Sequence, residues 1–374
     1  MLGPQTTILI TGVTGLIGGE LVRRLVRCGV GKIFCLIRPT PEATATERLV
    51  QRLRRSGDLD LLEGTASLQA VAGDVTLPRF GLSVGDAALV ADSVNMVIHC
   101  ASELSFIRDV SCRQTNVVGM QNLIELVRDY RRSPLIVHVS TATICGSVSH
   151  QCVTEEDSDD PDVDHFNEYT RSKAAAERVL RESGLPALVL RPSIVLSAEL
   201  PSEDFAKAIL WFLPLLNEFD AVPVDPASRV DVVPVSFVAD SMIRLLQAPT
   251  RAYDCYHVSA GPAGALRCGD VGRYLDEFYQ RANPILPVPP DQWTRQIHRR
   301  YVATRTQRKL FATLKHYLPF LNMDVVYDNT RLRNELGGGP LVIPPITDYL
   351  GGLLRLVTPE LKVDGAVSLE RIPV

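Results

Sequence analysis

No apolar run in this 374-residue chain can cross a bilayer as a helix: the longest, AILWFLPLL at 208–216, falls far short of the ~20 residues needed. Excess positive charge is also missing. The formal net charge is -4, which argues against nucleic acid as a partner. The cysteines (Cys28, Cys35, Cys100, Cys112, Cys145, Cys152, Cys255 and Cys268) are scattered, with no CxxC and no Cys/His ligand spacing. That pattern suggests buried thiols in a reducing compartment rather than a disulfide framework, and no metal site is expected. There is no internal repeat or low-complexity tract, and nothing at the N-terminus resembles a signal peptide. The expectation is a cytoplasmic protein without transmembrane segments, of oligomeric state unknown.

What is present is alternation. Short apolar runs at 7–11, 32–38, 68–74, 96–101, 135–141 and 187–193 read as buried strands. Helical patterns fall between them at 16–28, 42–56, 86–92, 115–130 and 170–182. This order predicts an α/β fold, a doubly wound parallel sheet of Rossmann type. A later strand-helix-strand set at 231–235, 236–247 and 255–260 is expected to return to the same sheet. The domain division that follows is a nucleotide-binding domain of 1–197 plus 230–260. A smaller, mainly helical substrate lobe takes 198–229 plus 261–374.

Directly after the first strand comes TGVTGLIGG, with Gly12, Gly15 and Gly18 spaced GxxGxxG, Thr14, Leu16 and Ile17 between them, and a helix opening behind. Glycine lets backbone approach a pyrophosphate, and the helix N-terminus offers unpaired N–H groups and a positive dipole end. The second strand ends CLIRP. Arg38 stands there, and no acid occurs between Lys32 and Pro41 to hold a ribose 2′-hydroxyl. An arginine at this point favours NADP(H) over NAD, with Arg48 as a second phosphate ligand.

HCAS at 99–102 places the small residues Ala101 and Ser102 where a cofactor lies close to backbone. VSTATICG puts Ser140 and Thr141 at the crevice end of the fifth strand, and alternation is expected to let only one of them face the site. Asn116, in the helix before, is a further candidate cofactor contact. Tyr169 and Lys173 follow at i and i+4, on one helical face. Alone such a pair is most simply surface decoration. After a phosphate loop and a strand-end hydroxyl it becomes a constellation for proton transfer.

These motifs together resemble an extended short-chain dehydrogenase/reductase. Within that superfamily the chain is most similar to fatty acyl-CoA reductases and to the thioester reductase domains of nonribosomal peptide, polyketide and carboxylic acid reductase systems. VAGDVTLPRFGLS (71–83), VIHCASELSF (97–106), YTRSKAAAE (169–177), LVLRPSIV (188–195) and VDVVPVSFVAD (230–240) carry the likeness. The resemblance implies that Thr141, chosen over Ser140 on this ground alone, forms a catalytic triad with Tyr169 and Lys173. It implies cofactor contacts from Asp74, Val75 and Ala101 beside the glycines and Arg38, with Pro192, Ser193 and Ile194 at the nicotinamide. Lys173 would hold the ribose and, together with the cofactor's charge, pull the Tyr169 phenol down from ~10 toward tyrosinate. The implied activity is NADPH-dependent reduction of an acyl thioester, on CoA or on a carrier protein in trans, to an aldehyde, which a second NADPH could carry on to the alcohol. A ketone, steroid or nucleotide-sugar enzyme with the same triad, or an NADP-sensing binding protein, are the competing readings. Ser236 and Cys145 depart from the family pattern, where Asp and an aromatic residue are common.

Three further stretches invite roles. The basic RQIHRRYVATRTQRKL (295–310) suits an acidic carrier, a CoA phosphate or peripheral contact with a membrane surface. Its cations spread around a single helical wheel, so a solvated helix is the preferred reading. The acidic 155–165 stretch is a candidate lid over the site, with a solvated loop preferred. The apolar 206–219 segment fits an acyl channel wall and lobe core equally.

Overall fold

The apolar runs of the first 260 residues fold into one sheet of seven parallel strands. They are β1 (Thr7–Thr11), β2 (Lys32–Ile37), β3 (Ser67–Ala72), β4 (Met96–His99), β5 (Leu135–Val139), β6 (Ala187–Pro192) and β7 (Cys255–Val258). Their spatial order is β7-β6-β5-β4-β1-β2-β3. The computed structural model describes residues 2–62, 67–105, 109–158, 163–197, 210, 212–337 and 341–360, with 362–363 and 366–367.

The strands are nearly continuously buried because helices cover both faces. One face packs Ile8, Ile10, Ile33 and Val137 against Leu21 and Leu25 of the helix Leu16–Arg27 and against Val238 and Met242 of the helix Val235–Gln247. The other packs Leu9, Phe34, Val97 and Ile136 against Leu123 of the helix Gly119–Arg128 and Ala176 and Leu180 of the helix Glu168–Glu182. Thr11 pairs in register with both Leu36 and His99, so the strands end level. From β1 the chain winds first toward β3 and then back through β4, which opens a crevice beyond the strand ends at this switch point.

One expected strand does not join the sheet. Val232–Pro234 pairs in parallel with Ile194–Leu196 instead. Pro192 ends β6 at its pairing with Val258, and the Ile194 N–H then turns to the Asp231 carbonyl at 3.1 Å. The lobe core gathers Phe212, Leu216, Phe219, Leu310, Leu314, Leu321, Leu350 and Leu353. Residues 328–335 leave that lobe and pack on β7, where Glu335 accepts from the Tyr256 hydroxyl at 2.9 Å and the Asn329 amide donates to the Ser259 carbonyl at 3.0 Å.

The 295–314 region is two helices, Arg295–Tyr301 and Arg305–Leu314. Thr304 breaks the run by capping the second helix in a reciprocal box with Gln307. A single helical wheel therefore does not apply to the basic stretch.

Candidate active site

The phosphate loop is built for close approach. Gly12 has φ +73°, and a Cβ there would lie 2.6 Å from the Ala101 nitrogen, so only glycine fits. A Cβ on Gly18 would collide with the Gly12 carbonyl. The helix Leu16–Arg27 starts at Gly15, and no side chain caps it. Its first N–H groups are thus left for an outside acceptor. These observations fit a dinucleotide pyrophosphate on the loop.

A cleft of about 630 Å³ runs from this loop along the strand ends. Gly12, Thr14, Gly15, Leu16, Ile17, Gly18, Arg38, Arg48, Asp74, Val75, Ala101, Ser102, Thr141, Tyr169, Lys173, Pro192 and Ser193 all border it. At its outer end Arg38 reaches Asp74 at 3.6 Å, and its carbonyl accepts from the Arg48 guanidinium. The Arg48 pKa is held below its ordinary value by burial and by the charges of Arg38 and Arg55. The mutual repulsion of these two cations at the cleft rim would be relieved by an anion bound beside them.

At the inner end Asn167 caps the helix Glu168–Glu182 by accepting the Thr170 N–H at 3.0 Å, which places Tyr169 in the first turn. Tyr169 and Lys173 are both buried, at 4% and 2% exposure, so they are not a solvated pair. The Thr141 hydroxyl is hydrogen-bonded to the Tyr169 phenol and lies 3.0 Å from the Thr143 hydroxyl. Lys173 Nζ donates to the Val139 carbonyl at 2.7 Å and sits 3.4 Å from His138 Nε2. His138 stacks on His99, whose Nδ1 is 2.9 Å from the Thr11 hydroxyl. Burial, and then the charge of Lys173, bring His99 down to about 3 and His138 well below its ordinary value, so both imidazoles are neutral at physiological pH.

Burial also brings Lys173 down to about 8, against the opposing pull of Glu177. For Tyr169 the protein's own contribution runs upward, so any lowering must come with the cofactor's charge. Burial pushes the phenol up, and only the Thr141 hydrogen bond works the other way, so the protein alone keeps Tyr169 protonated.

Two residues named from sequence do not border the cleft. Asn116, in a π-helical stretch Arg113–Val118, spends its amide on scaffold: it accepts from the Ser102 hydroxyl and Glu103 N–H, both at 2.9 Å, and donates to Ser172 Oγ at 2.8 Å and the Glu103 carbonyl at 3.1 Å. Ile194 turns into the lobe core, and Val195 borders the cleft instead. Ser140 and Thr141 both border it, because β5 ends at Val139 and strand alternation no longer governs them. Sequence reasoning missed Glu103 and Tyr317, the latter a lobe residue far along the chain with no motif to mark it.

The candidate lid and channel resolve differently. Glu155 is buried, accepts the His257 N–H at 2.8 Å and pairs with Arg331, so the start of the acidic stretch is anchored away from the cleft. Residues 159–162 lie outside the described residues. Phe212, Leu213, Leu215 and Leu216 are lobe core and do not border the cleft; 206–209 and 211 lie outside the described residues.

The family model described as Male sterility protein, an NAD-binding family, matches residues 10–242. The nonribosomal peptide synthetase asaC of Aspergillus flavus is 27% identical over 268 residues, which cover 67% of this chain and 26% of that protein. Fatty acyl-CoA reductase 1 of Rattus norvegicus is 27% identical over 371 residues, covering 85% of this chain and 69% of the relative. The terminal R domain from the myxalamid PKS-NRPS biosynthetic pathway superposes with a TM-score of 0.75 at 22% identity, covering 95% of this chain and 92% of that one. That likeness shows the fold, the doubly wound sheet with its C-terminal lobe.

Proposed function

The chain belongs to the Male sterility protein family, and on that premise we propose that it is an NADPH-dependent reductase of acyl thioesters. The observation that carries the reading is one cleft joining an uncapped glycine-loop helix to a buried Thr141–Tyr169 hydrogen bond with Lys173 beside it. The relatives' names, fatty acyl-CoA reductase and nonribosomal peptide synthetase, support a thioester carbonyl as the acceptor.

The Gly12–Gly18 loop and the free helix N–H groups would hold the pyrophosphate, Arg38 and Arg48 the 2′-phosphate, Asp74 and Val75 the adenosine, and Pro192 and Ser193 the nicotinamide. Bound there, the reduced nicotinamide supplies the hydride that adds to the thioester carbon. Thr141 orients the carbonyl oxygen by hydrogen bonding. Tyr169, kept protonated by its surroundings, donates its proton to that oxygen as negative charge develops. Lys173 anchors the ribose hydroxyls and, as an ammonium, stabilises the tyrosinate that results. The hemithioacetal then collapses: the C–S bond breaks, the sulfur takes a proton and leaves as a thiol, and an aldehyde remains. One hydride and one proton balance each aldehyde and thiol. A second round would give the alcohol by the same proton donor.

The test is NADPH consumption with an acyl-pantetheine thioester, an acyl-CoA and a ketone, in wild type and Tyr169→Phe. Thioester turnover should fall by about 10²–10⁴ in kcat in the variant with NADPH affinity retained, because the phenol serves the transition state. Ketone turnover without thioester turnover would overturn the substrate assignment, and an active Tyr169→Phe would overturn the role of the tyrosine.

A further inference from the structure

From Trp293 to Met323 the chain carries no aspartate or glutamate. Because Thr304 divides this region, the helix Arg305–Leu314 has its own register. Arg305, Arg308, Lys309 and Lys315 are all exposed, and their spacing repeats at the helical period, so they form one stripe. Among the described residues, none of these four has a carboxylate partner. The opposite face is committed to the lobe: Leu310 and Leu314 are buried, Phe311 stacks on Trp293 at 6.1 Å, and the Gln307 amide donates to the Glu218 carbonyl at 3.0 Å. The helix ends at Leu314, and after a short turn Tyr317 borders the catalytic cleft. Phe320, in the same segment, meets Phe166 at 5.9 Å, just ahead of the helix that carries Tyr169.

We propose that the stripe Arg305–Arg308–Lys309–Lys315 is the docking surface for an acidic carrier protein that presents its acyl thioester to the cleft past Tyr317. This rests on the reading of the substrate as an acyl thioester. The two other sources of negative charge fit less well. A nucleotide such as that of CoA is held in a concavity with converging polar groups, whereas these cations project from an exposed helix face and do not border the cleft. A membrane-surface helix must bury its apolar face in lipid, and here that face is already inside the lobe. An extended cationic stripe instead suits a macromolecule with a complementary acidic face, which it would steer and orient.

The experiment compares wild type with the double charge reversal Arg305→Glu/Lys309→Glu on three substrates bearing one acyl group: acyl-pantetheine, acyl-CoA and an acidic type II acyl carrier protein. The carrier reaction should lose about tenfold or more in kcat/KM through KM, and its wild-type salt dependence should flatten in the variant. Acyl-pantetheine and acyl-CoA should stay within about twofold of wild type, since neither would use the stripe. Titration calorimetry with the unloaded carrier reads docking without turnover, so failure of the thioester activity is distinguishable from failure of docking. A loss confined to acyl-CoA, equal losses on all three substrates, unchanged carrier kinetics and affinity, or binding to anionic vesicles in place of carrier would each overturn the proposal.

Discussion

Raising the pH should inactivate this protein while relieving one cost of folding, and both effects trace to Lys173. Burial lowers its pKa from 10.5 to about 8. The side chain is 2% exposed, so solvent screening removes little of this. At about 1.4 kcal/mol per unit the shift corresponds to roughly 3 kcal/mol by which the fold disfavours the ammonium. The unfolded chain binds the extra proton between pH 8 and 10.5, so the contribution of Lys173 to stability is unfavourable below about 8 and is relieved as pH rises to 10.5. Activity has the opposite sign if the ammonium is the working form. In the free enzyme kcat/KM should fall about tenfold per unit above pH 8. Lys173→Arg should move that limb upward, because guanidinium does not titrate there. Lys173→Met removes the penalised charge but leaves the Val139 carbonyl unpaired at about 1–3 kcal/mol, so it should be at least as stable as wild type at pH 7 and yet inactive. NADPH oxidation across pH reads the activity limb. The stability sign is read from the difference in melting between wild type and Lys173→Met, which should shift in favour of wild type as pH rises from 8 to 10.5. The difference is needed because Cys35, Cys100, Cys145, Cys255 and Cys268, pushed up by burial from 9.0 to about 12, pull both proteins the other way above pH 9. An alkaline limb near pH 10.5, or one that Lys173→Arg leaves in place, refutes the reasoning.

Arg38→Ala should weaken NADPH about 10- to 100-fold and NADH hardly at all, since a charge-assisted contact is worth about 1.5–3 kcal/mol; fluorescence titration checks this, and equal losses would show that Arg38 does not read a 2′-phosphate. Asn116→Ala should cost about 2–4 kcal/mol in chemical denaturation, because Ser102, Glu103 and Ser172 lose their shared buried partner. Unaltered stability together with a specific loss of NADPH affinity would return Asn116 to the cofactor site.

The sheet and the cofactor end of the cleft were legible because each is a local pattern. Apolar runs alternate with helical periods, and the glycines of residues 12–18 stand between strand and helix. Tyr169 and Lys173 shared a face by helical arithmetic alone, but their burial was not legible, since that depends on the helix Glu168–Glu182 packing on β5 and β6. The same gap hid the upward pull of burial on Tyr169: a charge partner is suggested by sequence, whereas desolvation is a property of the packed site. The scaffold contacts of Asn116 were not legible, because sequence records its amide but not where the amide points. The split of 295–314 was readable after all, in the T-x-x-Q box at Thr304–Gln307. Tyr317 and the pairing of Ile194–Leu196 with Val232–Pro234 are contacts between distant segments, and no local pattern encodes them.

The return of residues 328–335 to β7 bears on how the chain assembles. β7 is the last strand of the sheet, and its partner β6 lies more than sixty residues upstream, with the smaller piece of the lobe and the helix Val235–Gln247 between. The Cys255 carbonyl on its outer side accepts from Arg331 at 3.4 Å, and the Ala252 N–H just before it donates to Glu335 at 3.0 Å. An open strand edge invites pairing with other chains. During synthesis from the N-terminus, β7 emerges well before Arg331 and Glu335, so the nucleotide-binding sheet spends that interval with an unprotected border. Cutting the chain at the apparent domain boundary near residue 260 would make the border permanent: the segment that guards the sheet is carried by the far side of the other lobe.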